Sequence, residues 1–214
     1  MNDRYTPTFN IHEAVRKTLP YMMEMREYFH AHPELSEKEF DTCKTIFQKL
    51  SLMGIEDVKI IAGTGVTGLI HGALPGPVIL LRADIDALPL TEKFDCPYSS
   101  LVDGVMHACG HDGHMTMLLA AAQYLAAHRD FKGKVVFIFQ PGEEGAGGAL
   151  AMIKDGLFER FPVDELYGFH NWTDVPVGEV RCRKGATMAG QDFFAIRVKG
   201  KGAHASAPQL SADA

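Results

Sequence analysis

The sequence predicts an α/β fold: a mixed, largely parallel sheet flanked by helices, followed by the start of a second domain. Three observations carry this. Pro77–Asp84 and Lys134–Gln140 are apolar on both faces, as strands covered by helices on each side must be. Strand-like and helix-like runs alternate through the first 186 residues, the pattern of a sheet whose crossovers are helices. After Gly185 the alternation gives way to one long strand-like run, Phe193–Lys199, so the domain division is placed between 186 and 187.

At the amino end, Asn10 followed by Glu13 fits a capping box, and Ile11, Val15 and Leu19 share a helical face. Pro20 restarts the helix, which runs to about Phe29. Ser36 and Glu39 cap the next helix, Phe40, Cys43, Phe47 and Leu50 form its stripe, and Gly54 ends it. Strand-like runs follow at 57–62, 66–72 and 77–84, then helical periodicity over 111–128 through Met117, Ala121 and Leu125. The strand at 134–140 leads through a Gly-rich turn to a short helix closed by Gly156, and further strand-like runs occupy 164–170 and 178–184. Phe40, Phe47, Phe137 and Phe139 read as core. Gly63-Thr-Gly-Val-Thr-Gly68 matches GxGxxG, but a β-like run with two prolines follows where a dinucleotide site needs a helix, so a hairpin or loop is expected.

Charge narrows the function classes. With 27 acidic against 21 basic residues, a net charge of −6 and no basic block, neither nucleic acid nor an anionic membrane is expected as a partner. No run approaches the 18 or so apolar residues of a spanning helix. Cys43, Cys96, Cys109 and Cys182 form no CxxC pair and no secretory leader precedes them, so they read as free thiols of a cytoplasmic chain.

The chemistry concentrates in His107-Ala-Cys-Gly-His-Asp-Gly-His114, which packs three imidazoles, a thiol and a carboxylate into eight residues at a helix start. In an open α/β sheet the carboxyl ends of the strands form the reactive edge. The strand at 77–84 brings Asp84 and then Asp86 there, the strand at 134–140 brings Glu143 and Glu144, and the run at 164–170 brings His170. Cys109 and His111 enter their helix from the same edge. Such convergence points to a pair of divalent metals: thiolate and imidazole favour zinc, and the carboxylates keep manganese and cobalt open. Two ions about 3.5–4 Å apart would polarise a scissile carbonyl and hold the attacking water. Of the adjacent carboxylates Glu143 and Glu144, one can bind metal while the other moves a proton from water to a leaving amine.

Plainer readings stand beside these. Cys109 could be an inert buried thiol, Asp84 a strand-end cap set against a role orienting or bridging the metals, Asp86 a turn former, and Glu143-Glu144 a solvated turn before a helix. His107 and His114 read first as supporting or packing histidines. His204, among small residues in Gly202–Pro208, could donate a hydrogen bond to a developing oxyanion. His30 and His32, ahead of Pro33-Glu34-Leu35, form a polar turn to which spacing gives no function.

Six segments together resemble the M20 metallopeptidases, in particular the amidohydrolase branch of hippurate hydrolases and N-acyl-amino-acid deacetylases. They are His30–Leu35, Arg82–Pro89, His107–His114, Gln140–Gly145, Gly168–His170 and Gly200–His204. The resemblance implies a zinc-exopeptidase-like catalytic domain begun by 1–186 and an α+β lid and dimerisation domain begun by 187–214. It implies two divalent ions, with Cys109 as bridging ligand and His111, Glu144 and His170 as further ligands. Glu143 becomes the general base and then acid. Asp84 becomes the aspartate that other branches use to hold a metal-binding histidine, Arg82 stands where they place that histidine, and His111 supplies its imidazole. His204 is similar to the lid histidine that reaches the partner subunit's site in a homodimer.

The function so implied is hydrolysis of the amide in a small N-acyl amino acid. The resemblance also implies a longer parent that supplies the rest of the lid, a second catalytic half and a final histidine ligand, so this chain reads as a truncated piece. Two alternatives follow: a non-catalytic metal-binding or dimerising fragment, and a dipeptidase or carboxypeptidase of the same family. Cysteine in place of aspartate at position 109 favours the amidohydrolase branch.

Overall fold

The computed structural model describes residues 13–190, 192 and 194–212, so the Asn10 half of the first capping box, Ile11 and Phe193 lie outside the described residues. A short helix α1 (Glu13–Arg16) precedes α2 (Leu19–Ala31), α3 (Phe40–Leu52), β1 (Glu56–Ile61), β2 (Gly65–His71) and β3 (Leu74–Asp84). Then come α4 (His111–Ala127), β4 (Lys132–Gln140), α5 (Gly148–Lys154), α6 (Leu157–Arg160) and β5 (Glu165–Gly168). Among the described residues no helix is long and apolar enough to cross a membrane.

The five strands form one mixed sheet in the order β1-β2-β4-β3-β5. The β1–β2 and β2–β4 pairings are antiparallel while β4–β3 and β3–β5 are parallel, so β2 alone runs against the other four. The GxGxxG segment is the β1–β2 hairpin: Gly63 takes φ +83 in the turn, and no helix opens there. Side chains alternate along β4. Val135, Phe137 and Phe139 face a core shared with Met25 and Phe29 of α2, Ile46 and Leu50 of α3, and Met115 and Leu119 of α4. Val136 and Ile138 face the opposite core with Met152, Leu157 and Phe161. The continuous apolar run read in 134–140 is thus two periodic stripes, each covered by helices. Burial of side chains of this size stabilises by roughly 1.5–3 kcal/mol apiece.

Register brings the reactive ends together. Asp84 at the end of β3 pairs with Gln140 at the end of β4, and Arg82 pairs with Gly168 at the end of β5. The long crossover from β3 returns through α4, which starts at the same edge.

Local capping departs from the sequence reading. The Ser36–Glu39 box does not form, because both side chains find tertiary partners. Glu34 takes the capping role, its carboxylate accepting from the backbone N–H of Asp41 at 3.2 Å and Thr42 at 2.8 Å. Ser36 Oγ donates to Asp86 Oδ2 at 2.6 Å. Glu39 is fully buried and accepts from Thr64 Oγ1 at 2.7 Å and Gly142 N at 2.8 Å. The inward stripe of α3 is accordingly Thr42, Cys43, Ile46 and Leu50, and Phe40 is 64% exposed instead of packed in the core.

A boundary between two compact units falls at Gly178/Glu179, eight residues ahead of the division read from the sequence. The later unit holds a 3₁₀ turn, Pro208–Leu210, and a bridge between Lys201 and Ala212. Strands expected at 178–184 and 193–199 are absent among the described residues. Alternating sequence makes a strand only where another strand accepts its hydrogen bonds, and those described residues pair with none.

Candidate metal centre

Cys109 and His111 flank Gly110, which takes φ +85 at the entry to α4. A Cβ on Gly110 would meet Asn171 Oδ1 at 2.5 Å, so glycine serves both the left-handed turn and the close approach of the β5 loop. Gly110→Ala is expected to cost about 1–2 kcal/mol in backbone strain alone. Displacement of Asn171 adds to that cost, lowering the thermal unfolding midpoint and weakening metal uptake together.

His111 is fully buried, and its two ring nitrogens have different surroundings. Nδ1 lies 2.8 Å from the Asp86 carbonyl oxygen and 3.2 Å from Asp86 Oδ1. Both are acceptors, so Nδ1 carries the proton and Nε2 presents its lone pair. That Nε2 has no hydrogen-bond partner, and three carboxylates lie near it: Asp84 Oδ2 at 3.6 Å, Glu144 Oε1 at 3.8 Å and Glu143 Oε2 at 3.9 Å. Burial disfavours charge on His111, yet the bond to Asp86 and the charge of Asp84 raise its pKa above the ordinary imidazole value.

Asp86 is therefore the carboxylate that grips His111. Its Oδ2 also accepts from Ser36 Oγ at 2.6 Å and from Glu144 N at 2.9 Å, tying α4 to the Glu143–Glu144 turn. The sequence reading gave Asp84 a role orienting or bridging the metals, as the counterpart of the aspartate that holds a metal-binding histidine in other branches. Asp84 instead bonds His114 Nδ1 through Oδ1 at 2.5 Å and Arg82 Nη1 through Oδ2 at 2.7 Å. Burial would push the Asp84 carboxyl up, but the His114 bond and the charges of Arg82 and His111 hold it well below the usual carboxylate range.

The chain of bonds continues across the sheet edge. His114 Nε2 lies 2.5 Å from Asn171 Oδ1 and 3.1 Å from Asn171 N, and His170 Nδ1 donates to Asn171 O at 2.6 Å. The proton on His170 Nδ1 leaves Nε2 as a lone pair, and that nitrogen sits 3.4 Å from Cys109 Sγ. Asn171 thus sets the tautomer of His170, a role that an asparagine after a strand-end histidine does not announce in sequence. His114 spends one nitrogen on Asp84 and the other on Asn171, in the supporting position first read for it.

Glu143 and Glu144 follow β4 through a turn whose Gly142 N–H is held by Glu39. Burial and then the neighbouring Glu144 charge raise the Glu143 pKa. Cys109 is pushed up to about 12 by burial, by its hydrogen bond with Glu144 and by the charges of Glu144, Glu143 and Asp84. Without a cation the thiol stays protonated; a bound divalent ion inverts that balance and favours thiolate.

Two sets of donor atoms lie within 4.8 Å of one another: Asp84, His111, His114 and His170, and Cys109, His111 and Glu144. His111 belongs to both. A buried imidazole Nε2 beside three carboxylates calls for positive charge between them, from a proton on the ring or from a cation, and buried Glu144 Oε1 also lacks a partner. Thiol, imidazole and carboxylate donors in this arrangement fit divalent transition metals.

The structure brings together Asp84, Cys109, His111, Glu143, Glu144 and His170. His107 is buried with neither nitrogen bonded, and burial lowers its pKa to about 4, so it packs as a neutral ring. His204 belongs to the later unit, where its Nδ1 lies 2.9 Å from Ser206 Oγ.

Residues 80–213 match the model of peptidase family M20/M25/M40. The chain is 47% identical over 193 residues to a hippurate hydrolase of Campylobacter jejuni, covering 89% of this chain and 49% of that protein. It is 44% identical over 193 residues to an N-acetyl-L-cysteine deacetylase of Bacillus subtilis, covering 90% and 46% respectively. The fold superposes on the crystal structure of the Bacillus subtilis YXEP protein, described as a dinuclear metal-binding peptidase of family M20. The TM-score is 0.72 at 43% identity, over 76% of this chain and 45% of that one. The chain spans about half the length of the curated relatives it matches.

Proposed function

The chain belongs to peptidase family M20/M25/M40, and from that premise we propose that it carries the metal-binding portion of an amidohydrolase. The reaction is hydrolysis of the amide in N-acyl amino acids, of the benzoyl-glycine or N-acetyl type, to a carboxylic acid and a free amino acid. The observation that carries the reading is the set of donors around His111 Nε2, with Glu143 Oε2 at 3.9 Å and only partly covered.

Cys109, His111, Glu144 and His170 would hold two divalent ions, zinc, manganese or cobalt. When bound, these ions supply Lewis acidity toward the acyl oxygen and make water nucleophilic near neutral pH. Glu143 accepts a proton from the attacking water; the water oxygen bonds to the acyl carbon, the C–N bond breaks, and Glu143 returns the proton to the departing amine. Asp86 orients His111, and the Arg82–Asp84–His114–Asn171 chain orients His170; Asp84 acts through these neighbours. His204 is assigned to the oxyanion, and a homodimer formed through the later unit is the assembly in which it would act.

Names of relatives support the acyl-amino-acid reading over a dipeptidase, since the first relatives named above act on acylated amino acids. The test is a substrate panel on the complete gene product: N-benzoylglycine, N-acetyl amino acids, and dipeptides with free amino termini. Hydrolysis of the acylated substrates is expected, lost on chelation and restored by zinc, manganese or cobalt. Preference for the free dipeptides, or activity that survives exhaustive chelation, would overturn the reading.

A further inference from the structure

The two histidines of His30-Ala-His-Pro-Glu-Leu35 do different things. His32 is exposed, bonds the Tyr28 carbonyl through Nδ1 at 2.8 Å and stacks on the Tyr28 ring, as a residue closing a helix does. His30, two residues earlier, is only 7% exposed and lies between two carboxylates. Its Nδ1 is 2.7 Å from Asp112 Oδ2 and its Nε2 is 3.0 Å from Glu92 Oε1. Each nitrogen faces an acceptor, so both carry protons and the ring is an imidazolium.

The surroundings complete a neutral cluster. Arg26 Nε reaches the same Asp112 oxygen at 3.1 Å, and its guanidinium lies over the Tyr98 ring at 4.8 Å. Tyr98 also meets the His30 ring edge-on, at 5.7 Å between centroids. Glu92 Oε2 accepts from Ser100 N at 2.6 Å. Two cations therefore balance two buried carboxylates.

These residues come from three places: the end of α2, the long crossover between β3 and α4, and the first turn of α4. Asp112 directly follows His111 and lies three residues after Cys109. We propose that His30 is a positioning residue which, clamped between Asp112 and Glu92, holds the first turn of α4 so that Cys109 and His111 keep their metal-binding arrangement. The inference rests on the metal site proposed above and concerns what keeps that site in place. Without the imidazolium, Asp112 and Glu92 are two buried carboxylates sharing one remaining cation. Their repulsion and desolvation act directly on the turn that carries the ligands. Partners bonded directly to ligands govern metal affinity about tenfold to a hundredfold, and His30, which acts one residue further out through Asp112, is expected at the lower end of that range.

The test is zinc titration against a chromophoric chelator, with kinetics and metal-free thermal unfolding, on the complete gene product and its His30→Gln and Glu92→Gln variants. For His30→Gln, zinc affinity is expected to fall about tenfold, with kcat reduced and KM for an acylated substrate little changed. Glu92→Gln keeps the Asp112–Arg26 pair and is expected to weaken zinc binding to a lesser degree, which keeps the proposal testable where His30→Gln does not fold. Variants that fold and bind zinc as tightly as the unaltered protein, with only a lower unfolding temperature, would make His30 a structural residue and overturn the proposal. An unaltered protein that takes up no divalent metal would instead overturn the metal site itself.

Discussion

Replacing Glu143 with glutamine is expected to lower kcat for amide hydrolysis by about two to four orders of magnitude, the contribution of a positioned general base. Glutamine keeps the shape and the hydrogen-bonding reach of the side chain but cannot accept the proton from water. The substitution leaves Cys109, His111, Glu144 and His170 untouched, so metal binding persists while turnover collapses. Glu143 suits the task because burial and the adjacent Glu144 charge raise its pKa, which makes it a stronger base than an ordinary glutamate. Kinetics of the complete gene product, alongside a metal titration of the same variant, check both halves. Equal turnover after the change would move the general base elsewhere.

The second large effect is expected at Cys109. Its thiol lies among Glu143, Glu144 and Asp84 and is protonated without metal, so it becomes an effective donor only when a cation displaces that proton. A ligand that binds only the folded state adds about 2.7 kcal/mol of stability at a hundredfold excess over its dissociation constant. For a chain of 150–250 residues that corresponds to a midpoint rise on the order of 5–10 °C. Zinc should produce this rise in the unaltered protein and little of it in Cys109→Ser, because a serine hydroxyl does not ionise to replace the thiolate. Thermal unfolding with and without zinc measures it, and an undiminished rise in the serine variant would remove Cys109 from the site.

Much of this site was legible because its donors sit at punctuation points of the sheet. Asp84 ends a strand, and Glu143, Glu144 and His170 follow strands, whose apolar runs are plain in sequence. Cys109 and His111 stand at the entry to an apolar helix, whose buried face is Met115, Leu118, Leu119 and Ala122 and not the Met117–Ala121–Leu125 stripe read from the sequence. What remained hidden depends on directions that spacing does not encode. Asp84 and Asp86 are two residues apart, yet Asp84 closes the last pairing of β3 while Asp86 has left the ladder and turned to His111. Ser36 and Glu39 match a local capping pattern, but Asp86 and the Thr64–Gly142 pair claim their side chains through long-range bonds. Asn171 has no pattern at all; its importance comes from where β5 ends relative to Gly110. The strand expected at 193–199 is absent among the described residues, because alternation alone makes no ladder without a partner.

The most direct measurement of the central claim is an anomalous-scattering map, collected at the zinc edge from crystals of the zinc-loaded complete gene product. The account predicts two peaks in contact with Cys109, His111, Glu144 and His170, with Asp84 bonded to Arg82 and His114 behind them. A map with no peak among these side chains, or with zinc held only by residues outside this group, would contradict it.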